Sequence, residues 1–278
     1  MQKTIVVVPC YNEAERLPAE SFLEAAGMDP SLTLLFVDDG STDATRAVLA
    51  GLCSRRPKQL LLLGLDQNVG KAEAVRRGLL AALERSPALV GYFDADLATP
   101  LSEVAPMRAL FDDPVVEMVL GSRVALLGRA IERSAKRHYL GRVFATVASL
   151  VLGIAVYDTQ CGAKLFRNTP RTRALFARPF CVSWSFDVEI LARLLGISSL
   201  SDGYHGGGVA IEYPLRGWRD VAGSKLGLQA SLRATADLLV VWARYRHAPA
   251  RGAPLRSRER EPQTPHLTAA ERRVMRAG

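Results

Sequence analysis

The sequence predicts an α/β protein built on a doubly wound, mostly parallel β-sheet. Short apolar runs of strand length recur along roughly the first 120 residues, and segments with helical character separate them. Polar residues gather directly after these runs, at the edge where open parallel sheets bind their ligands. The chain has 278 residues, 49% of them hydrophobic and 23% charged, which is enough for a large core. Fibrous and wholly disordered proteins are therefore excluded.

The predicted strands occupy residues 4–8, 32–37, 59–63, 89–93 and 115–120. The first strand begins close to residue 1, so no signal peptide is expected. Neither the dinucleotide-binding motif Gly-x-Gly-x-x-Gly nor the Walker phosphate-binding motif occurs in the sequence. Redox chemistry with NAD is therefore not expected.

Positive charge is concentrated near the C-terminal end. The net charge is +8, and from residue 244 onward nine arginines stand against three glutamates, so the rest of the chain is close to neutral. We expect residues 248–278 to form a disordered basic tail, with attraction to anionic lipid as the alternative. No nucleic-acid-binding motif is present, so no nucleic-acid partner is expected. The four cysteines lack metal-ligand spacing and fit a reducing, cytoplasmic compartment.

A basic segment leads into an apolar one in the middle of the chain. Residues 123–142 contain six basic side chains against Glu132, and residues 143–156 form a mostly apolar stretch of 14 residues. A membrane-spanning helix needs roughly 20 residues, so no transmembrane helix is expected here. The pattern fits a helix lying on a membrane surface and, equally, a core helix with a solvated entrance.

Two aspartates, Asp94 and Asp96, follow the fourth predicted strand. Carboxylates two residues apart at the tip of a strand can converge on one hard cation, and Mg²⁺ or Mn²⁺ held there would bridge a pyrophosphate. The same pair also fits a turn followed by a helix cap before Pro100. The motifs after the other strands bear on this choice.

Those motifs follow the strands in a recognisable order. Residues 9–13 read PCYNE, residues 38–43 read DDGSTD, and residues 68–71 read NVGK. Together with DAD at 94–96 and GSR at 121–123, they resemble the family 2 inverting glycosyltransferases. The resemblance implies a GT-A type nucleotide-sugar-binding fold. It also implies that the aspartate pair holds Mg²⁺ or Mn²⁺ against the diphosphate of a nucleotide sugar.

The resemblance extends over residues 1–247, which are the predicted catalytic domain. Its nucleotide-sugar half is about residues 1–122, and its acceptor half is about residues 123–247. The second half is similar to the polyprenyl-phosphate sugar transferases, and most of all to dolichyl-phosphate β-glucosyltransferases. The segments that carry this similarity are DTQCGAKLF at 158–166, WSFDVE at 184–189 and GSK at 223–225.

The implied activity is an inverting transfer of glucose from UDP-glucose to a polyprenyl phosphate. Related mannosyl enzymes usually carry glutamine two positions after the second metal-binding aspartate, where this chain has Ala98, and this favours glucose over mannose. The enzyme would act at the cytoplasmic membrane face, as a peripheral protein or with a membrane-protein partner. The alternatives are a soluble acceptor, a GDP-mannose-dependent mannosyltransferase, and a nucleotide-sugar-binding protein without turnover.

The donor-binding residues implied by the resemblance are Pro9, Tyr11, Glu13, Asp39, Lys71, Asp94 and Lys225. Tyr11 and Glu13 also fit a staple and cap at the start of a helix. Lys71 also fits a solvated position in the first turn of a helix. Lys225 lies on a glycine-containing segment, residues 218–227, that could close over a bound donor.

The catalytic candidates are Asp96, Arg133, Arg137, Asp158, Gln160 and Asp187. Arg133 and Arg137 would share one face of a helix, so we expect them to bind the acceptor phosphate, with Arg123 as a third candidate. The second pKa of a phosphate monoester is roughly 6, so this nucleophile needs little help from a general base. The resemblance assigns Asp158, Gln160, Asp187 and Glu189 to sugar hydroxyls or to orienting lysine and arginine side chains.

Overall fold

The computed structural model describes residues 2–132, 135–200, 209–220 and 228–245, without the side chains of 135–138, 197–200, 209 and 228–232. The candidates Arg133 and Lys225 and the predicted tail, residues 248–278, lie outside the described residues. Arg137 belongs to a described helix, but its side chain lies outside the described part. The other candidate residues can be placed.

The strands are β1 (Thr4–Cys10), β2 (Leu32–Asp38), β3 (Leu60–Gly64), β4 (Leu89–Phe93), β5 (Val116–Ser122), β6 (Ala130–Glu132), β7 (Ala163–Arg167), β8 (Val209–Pro214) and β9 (Gly217–Arg219). The helices are α1 (Ala19–Met28), α2 (Thr45–Arg55), α3 (Lys71–Glu84), α4 (Val104–Ala109), α5 (Ala135–Leu152), α6 (Pro170–Ala177), α7 (Phe186–Leu200) and α8 (Leu228–Tyr245). Short 3-10 helices, Leu101–Glu103 and Leu110–Asp112, flank α4. All five predicted strands are present, and β1 and β5 continue two residues beyond the apolar runs that predicted them.

The main sheet has seven strands in the order β3-β2-β1-β4-β7-β5-β8. Strand β7 runs antiparallel to both of its neighbours, β4 and β5, and the remaining neighbours are parallel. The predicted doubly wound, mostly parallel sheet is therefore confirmed. Because β7 is reversed, the loop that precedes it meets the carboxyl ends of β1, β2 and β4 at one edge of the sheet.

Both faces of the sheet are covered, which explains why its strands are apolar on both sides. Val6 and Val8 of β1 belong to the core beneath α1, α2 and α4, whereas Val7 belongs to the core beneath α3, α6 and α7. Helix α3 lies close to β1, because a Cβ at Gly78 would be only 2.5 Å from a methyl carbon of Val7. This close packing fixes the start of α3 above the carboxyl ends of the strands.

Helices α5, α7 and α8 pack against one another. One face of α5 is buried through Ala145, Ala148 and Leu152. The opposite face exposes large apolar side chains, namely Tyr139, Leu140, Val143, Val147 and Leu150. The core interpretation is thus confirmed for one face of this helix, and the opposite face carries exposed apolar side chains of the kind that the membrane-surface interpretation requires. No helix in the described part of the chain is both long enough and apolar enough to span a bilayer.

Candidate active site

The candidate site lies at the carboxyl end of the sheet, where Asp94 and Lys71 form its central ion pair. Asp94 follows β4, and its Oδ1 is 2.7 Å from Nζ of Lys71, the first residue of α3. Burial alone would lower the pKa of Lys71, but the negative charges of Asp94, Asp187 and Asp96 outweigh it and raise that pKa. Lys71 is therefore a paired cation, although its side chain remains 48% exposed at the start of α3.

Asp39 fixes the loop that carries Lys71. Its buried carboxylate accepts hydrogen bonds from the backbone N–H groups of Val69 (2.7 Å) and Gly70 (2.9 Å). Gly70 has φ +88°, a conformation that strains any residue with a side chain, and α3 begins immediately after it. Burial raises the pKa of Asp39 despite these two donors. Asp39, which follows β2, thus positions Lys71, which lies between β3 and the body of α3.

The loop before β7 closes tightly on Asp94. The backbone N–H of Asp94 donates to the carbonyl oxygen of Gly162 at 3.1 Å. A Cβ at Gly162 would lie only 2.1 Å from Oδ2 and 2.3 Å from Cγ of Asp94, so any other residue here would displace the Asp94 carboxylate. The carboxylate therefore has backbone on one side and Lys71 on the other.

Asp96 sits in a tight turn two residues further on. Its carboxylate accepts a hydrogen bond from the backbone N–H of Ala98 at 3.0 Å, and Leu97 between them has φ +49°. The following 3-10 helix starts after Pro100 without a side-chain cap, so the turn interpretation holds and the helix-cap interpretation is wrong. Burial and the neighbouring Asp94 raise the pKa of Asp96, against the opposing effects of the Ala98 N–H, Lys71 and Arg16.

The loop after β1 forms the next wall of the site. Pro9 pairs with β2 within the sheet, and the Tyr11 side chain is 41% exposed at the surface. The carboxylate of Glu13 accepts hydrogen bonds from Nε and Nη2 of Arg16. Helix α1 starts after Pro18 and has no side-chain cap, so Glu13 does not cap it. Tyr11 is open to a ligand at this edge, whereas both carboxylate oxygens of Glu13 are paired with Arg16.

A buried charged cluster lies behind Asp94. Lys164, in the middle of β7, is fully buried, and its Nζ is 2.6 Å from Oδ1 of Asp187 and 2.6 Å from the carbonyl oxygen of Cys161. The hydroxyl of Tyr92 donates to the same Oδ1 of Asp187. Burial and the nearby Asp187 raise the pKa of Tyr92 well above its ordinary value, so Tyr92 stays protonated as a donor. Asp187 is thus held by two buried donors.

Arg123 and Asp158 form a second, partly separate group at the end of β5. The guanidinium contacts the carboxylate through Nε–Oδ2 (2.6 Å) and Nη2–Oδ1 (2.8 Å), and it lies over the ring of Trp218. Burial alone would lower the pKa of Arg123, but Asp158 more than offsets it and raises that pKa further. Glu212 orients Asp158, because its carboxylate accepts the backbone N–H of Asp158 at 2.8 Å. Arg123 is thus held in place by a two-point contact with Asp158.

Gln160 contributes an unused donor beside this pair. Its backbone N–H donates to Oδ1 of Asp158 at 3.1 Å. Its side-chain Nε2 is buried and has no hydrogen-bond partner among the described residues. A buried donor without a partner costs stability, so this amide is suited to a hydroxyl or phosphate oxygen of a ligand.

The structure brings most candidates to one edge of the sheet. Asp94, Asp96 and Lys71 share one side, and the Arg123–Asp158 pair is close enough for Arg123 to interact electrostatically with Asp94. Within the described ranges, no group of three or more His, Cys, Asp or Glu side chains could hold a metal ion by itself. A cation at Asp94 and Asp96 would therefore need further ligands from a substrate or water.

The sequence reasoning missed Tyr92, Lys164, Glu212 and Arg16. A usable signal existed for Lys164 and Glu212, since each is a charged residue inside an otherwise apolar strand and so requires a buried partner. Tyr92 gave no signal, because a tyrosine in an apolar run is ordinary core. Arg16 gave none either, because its contact with Glu13 depends on the fold of the loop.

Comparisons with known proteins identify the family and the fold. The family described as Glycosyl transferase family 2 matches residues 5–170. A dolichyl-phosphate β-glucosyltransferase of Drosophila melanogaster is 34% identical over 258 residues, which cover 86% of this chain and 74% of the relative. The Homo sapiens protein of the same name is 31% identical and is covered to 75%.

A solved structure has the same fold. It is glucosyl-3-phosphoglycerate synthase from Mycobacterium tuberculosis in complex with Mn²⁺, UDP and glucosyl-3-phosphoglycerate, at a TM-score of 0.60 and 21% identity. The match covers 87% of this chain and 80% of that one, which confirms the expected GT-A type fold. The motifs after the strands, the arrangement of their side chains at one sheet edge and these similarities lead to one assignment: the chain belongs to glycosyl transferase family 2.

Proposed function

We propose that this enzyme transfers glucose from UDP-glucose to a polyprenyl phosphate of the dolichyl type, with inversion at the anomeric carbon. The observation that carries the proposal is the pair Asp94 and Asp96 beside Lys71, with Arg123 close enough to Asp94 for their charges to interact. The two aspartates with Lys71 suit a nucleotide diphosphate, and Arg123 suits the phosphate of an acceptor. Relatives with about 30% identity carry the name dolichyl-phosphate β-glucosyltransferase.

The donor side fits a divalent cation. Asp94 and Asp96 supply two hard oxygen ligands, and Mg²⁺ is usually bound by one or two carboxylates together with substrate phosphates and water. A bound Mg²⁺ or Mn²⁺ would neutralise charge that develops on the departing UDP. Lys71 would contribute a point charge to the same diphosphate, while Pro9, Tyr11, Glu13 and Asp39 border the space for the uridine. The solved structure of the same fold contains Mn²⁺ and UDP.

On the acceptor side, Arg123 and Gln160 would bind the lipid phosphate or the sugar. An oxygen of that phosphate attacks the anomeric carbon of glucose and forms the new C–O bond. The bond from this carbon to the β-phosphate oxygen of UDP breaks, and its electron pair leaves with UDP. No proton has to be removed, because the phosphate is already anionic at neutral pH. Asp158 and Asp187 would orient Arg123 and the sugar hydroxyls.

Helix α5 supports peripheral association with a membrane surface. Its exposed apolar residues, defined above from Tyr139 to Leu150, span about 100° of the helix circumference. Val143 is 64% exposed and Leu150 is 77% exposed, so a continuous apolar stripe faces outward. The preceding sequence is basic, which complements anionic lipid headgroups. A membrane-bound acceptor would then lie close to the enzyme.

Nucleotide release tests this function directly. UDP release from UDP-glucose and GDP release from GDP-mannose should be measured with Mg²⁺ or Mn²⁺, with and without a short-chain polyprenyl phosphate in detergent. We expect release of UDP that depends on both lipid and metal, and little release of GDP. Turnover that ignores the lipid but responds to a soluble acceptor would overturn the acceptor assignment. Preference for GDP-mannose would overturn the donor assignment.

Val143→Glu should weaken binding to vesicles that contain anionic lipid by about 10- to 100-fold, because it removes an apolar contact worth about 1.5–3 kcal/mol. Cosedimentation with the vesicles measures this effect. Activity on a detergent-dispersed acceptor should stay unchanged. Val115→Glu is the matched control, since Val115 is also half-exposed but precedes β5. Equal loss in both variants would argue against a docking role for α5, and failure of the unmodified chain to bind vesicles would favour a membrane-protein partner.

A further inference from the structure

Among the described residues, Arg16 is a cation near the donor edge that the proposed reaction has not yet used. It follows β1, while Asp96 follows β4, and these two strands are parallel neighbours in the sheet. Their loops therefore emerge side by side. Arg16 and Asp96 are close enough for their charges to interact. Arg16 is therefore within electrostatic range of Asp96, whereas Lys71 contacts Asp94 directly, with Nζ 2.7 Å from Oδ1.

The present partner of Arg16 is a carboxylate that it can exchange. Nη2 of Arg16 is 2.5 Å from Oε1 of Glu13, and Nε donates to the other oxygen of the same carboxylate. The Arg16 side chain is 51% exposed, so the guanidinium can swing without opening the core. A guanidinium that binds a carboxylate through two parallel donors has the geometry that binds two phosphate oxygens.

We infer that Arg16 is a diphosphate-binding residue. When the nucleotide sugar binds, the Arg16 guanidinium exchanges the Glu13 carboxylate for a phosphate oxygen of the donor. The released Glu13 carboxylate then becomes free to accept a hydrogen bond from the uridine or its ribose. Arg16 then binds the diphosphate from the loop after β1, and Lys71 binds it from the start of α3. This inference rests on the proposed function, because it assigns Arg16 to the donor of that reaction.

Binding of Mn²⁺ with inorganic pyrophosphate separates this role from a structural one. Pyrophosphate has the diphosphate but neither the uridine nor the ribose, so it reports only on the cations and metal ligands. Isothermal titration calorimetry should show Arg16→Gln binding both UDP and pyrophosphate about tenfold more weakly than the unmodified chain, as expected for a lost charge-assisted hydrogen bond. Glu13→Gln should bind pyrophosphate at least as tightly as the unmodified chain, because it no longer competes for Arg16.

Arg55→Gln is the matched control. Arg55 is 55% exposed and pairs with Glu20 on the surface, as Arg16 pairs with Glu13. It should bind both ligands normally. If Arg16→Gln weakens UDP but leaves pyrophosphate unchanged, Arg16 only positions Glu13 and the inference is overturned. If the unmodified chain binds neither UDP nor pyrophosphate in the presence of Mn²⁺, it is the proposed function that fails.

Discussion

Replacing Asp96 with asparagine should reduce lipid-dependent UDP release by about 100- to 1,000-fold while leaving the fold intact. The reason is that a carboxylate ligand contributes several kcal/mol of charge stabilisation through the cation, and each 1.4 kcal/mol corresponds to about tenfold in rate. Asparagine keeps the turn, since its side-chain oxygen can still accept from the Ala98 N–H. The rate should be measured at saturating donor and acceptor over a range of Mn²⁺ concentrations.

Two further measurements make this result specific. Asp112→Asn is a suitable control, because Asp112 is exposed at the end of a 3-10 helix outside the site. Its turnover should match that of the unmodified chain. The thermal unfolding midpoint of Asp96→Asn should also stay close to that of the unmodified chain. Full activity in Asp96→Asn, at any metal concentration, would refute the metal-binding assignment.

Asp187→Asn should lower the free energy of unfolding by about 3–5 kcal/mol, because it leaves the buried ammonium of Lys164 without its counter-charge. Lys164→Met should be destabilising for the converse reason, with Asp187 left to Tyr92 alone. The double variant removes both charges and should regain a large part of that loss. Urea unfolding of the three variants measures these differences.

Activity of the double variant then separates structure from catalysis at Asp187. If Asp187 acts on the sugar or orients Lys71, the refolded double variant should stay at least about 100-fold less active, in line with the loss of one positioned group. Recovery of full turnover with stability would mean that Asp187 has only a structural role. Glu20→Gln, which breaks an exposed pair with Arg55, should leave both the unfolding midpoint and turnover unchanged.

Local sequence patterns were sufficient to predict the strands and the edge of the sheet at which the candidate site residues lie. Short apolar runs that alternate with helical segments predict strands, and a parallel arrangement brings the ends of β1, β2 and β4 together. The positions of Glu13, Asp39 and Asp94 at this edge follow directly. For the same reason, the family could be recognised from short motifs that stand at strand ends.

Local patterns could not predict which side chains contact one another across the fold. A periodic pattern indicates that Lys164 points inward, but it does not identify the partner of its ammonium group. That partner is Asp187, 23 residues later, which also accepts a hydrogen bond from Tyr92, 95 residues before it. Similarly, the apolar stretch of α5 showed no preference between core and surface, because a helix can bury one face and expose the other.

The sequence by itself determined the fold class, the family and the identity of the metal-binding candidates. These depend on local hydrophobic patterns and on residues that are close together in the chain. Tertiary structure alone decided that β7 lies reversed between β4 and β5, which sets Gly162 against Asp94 and Lys164 beneath Asp187. It also decided which charges neutralise one another, because that depends on distances between residues far apart in the chain.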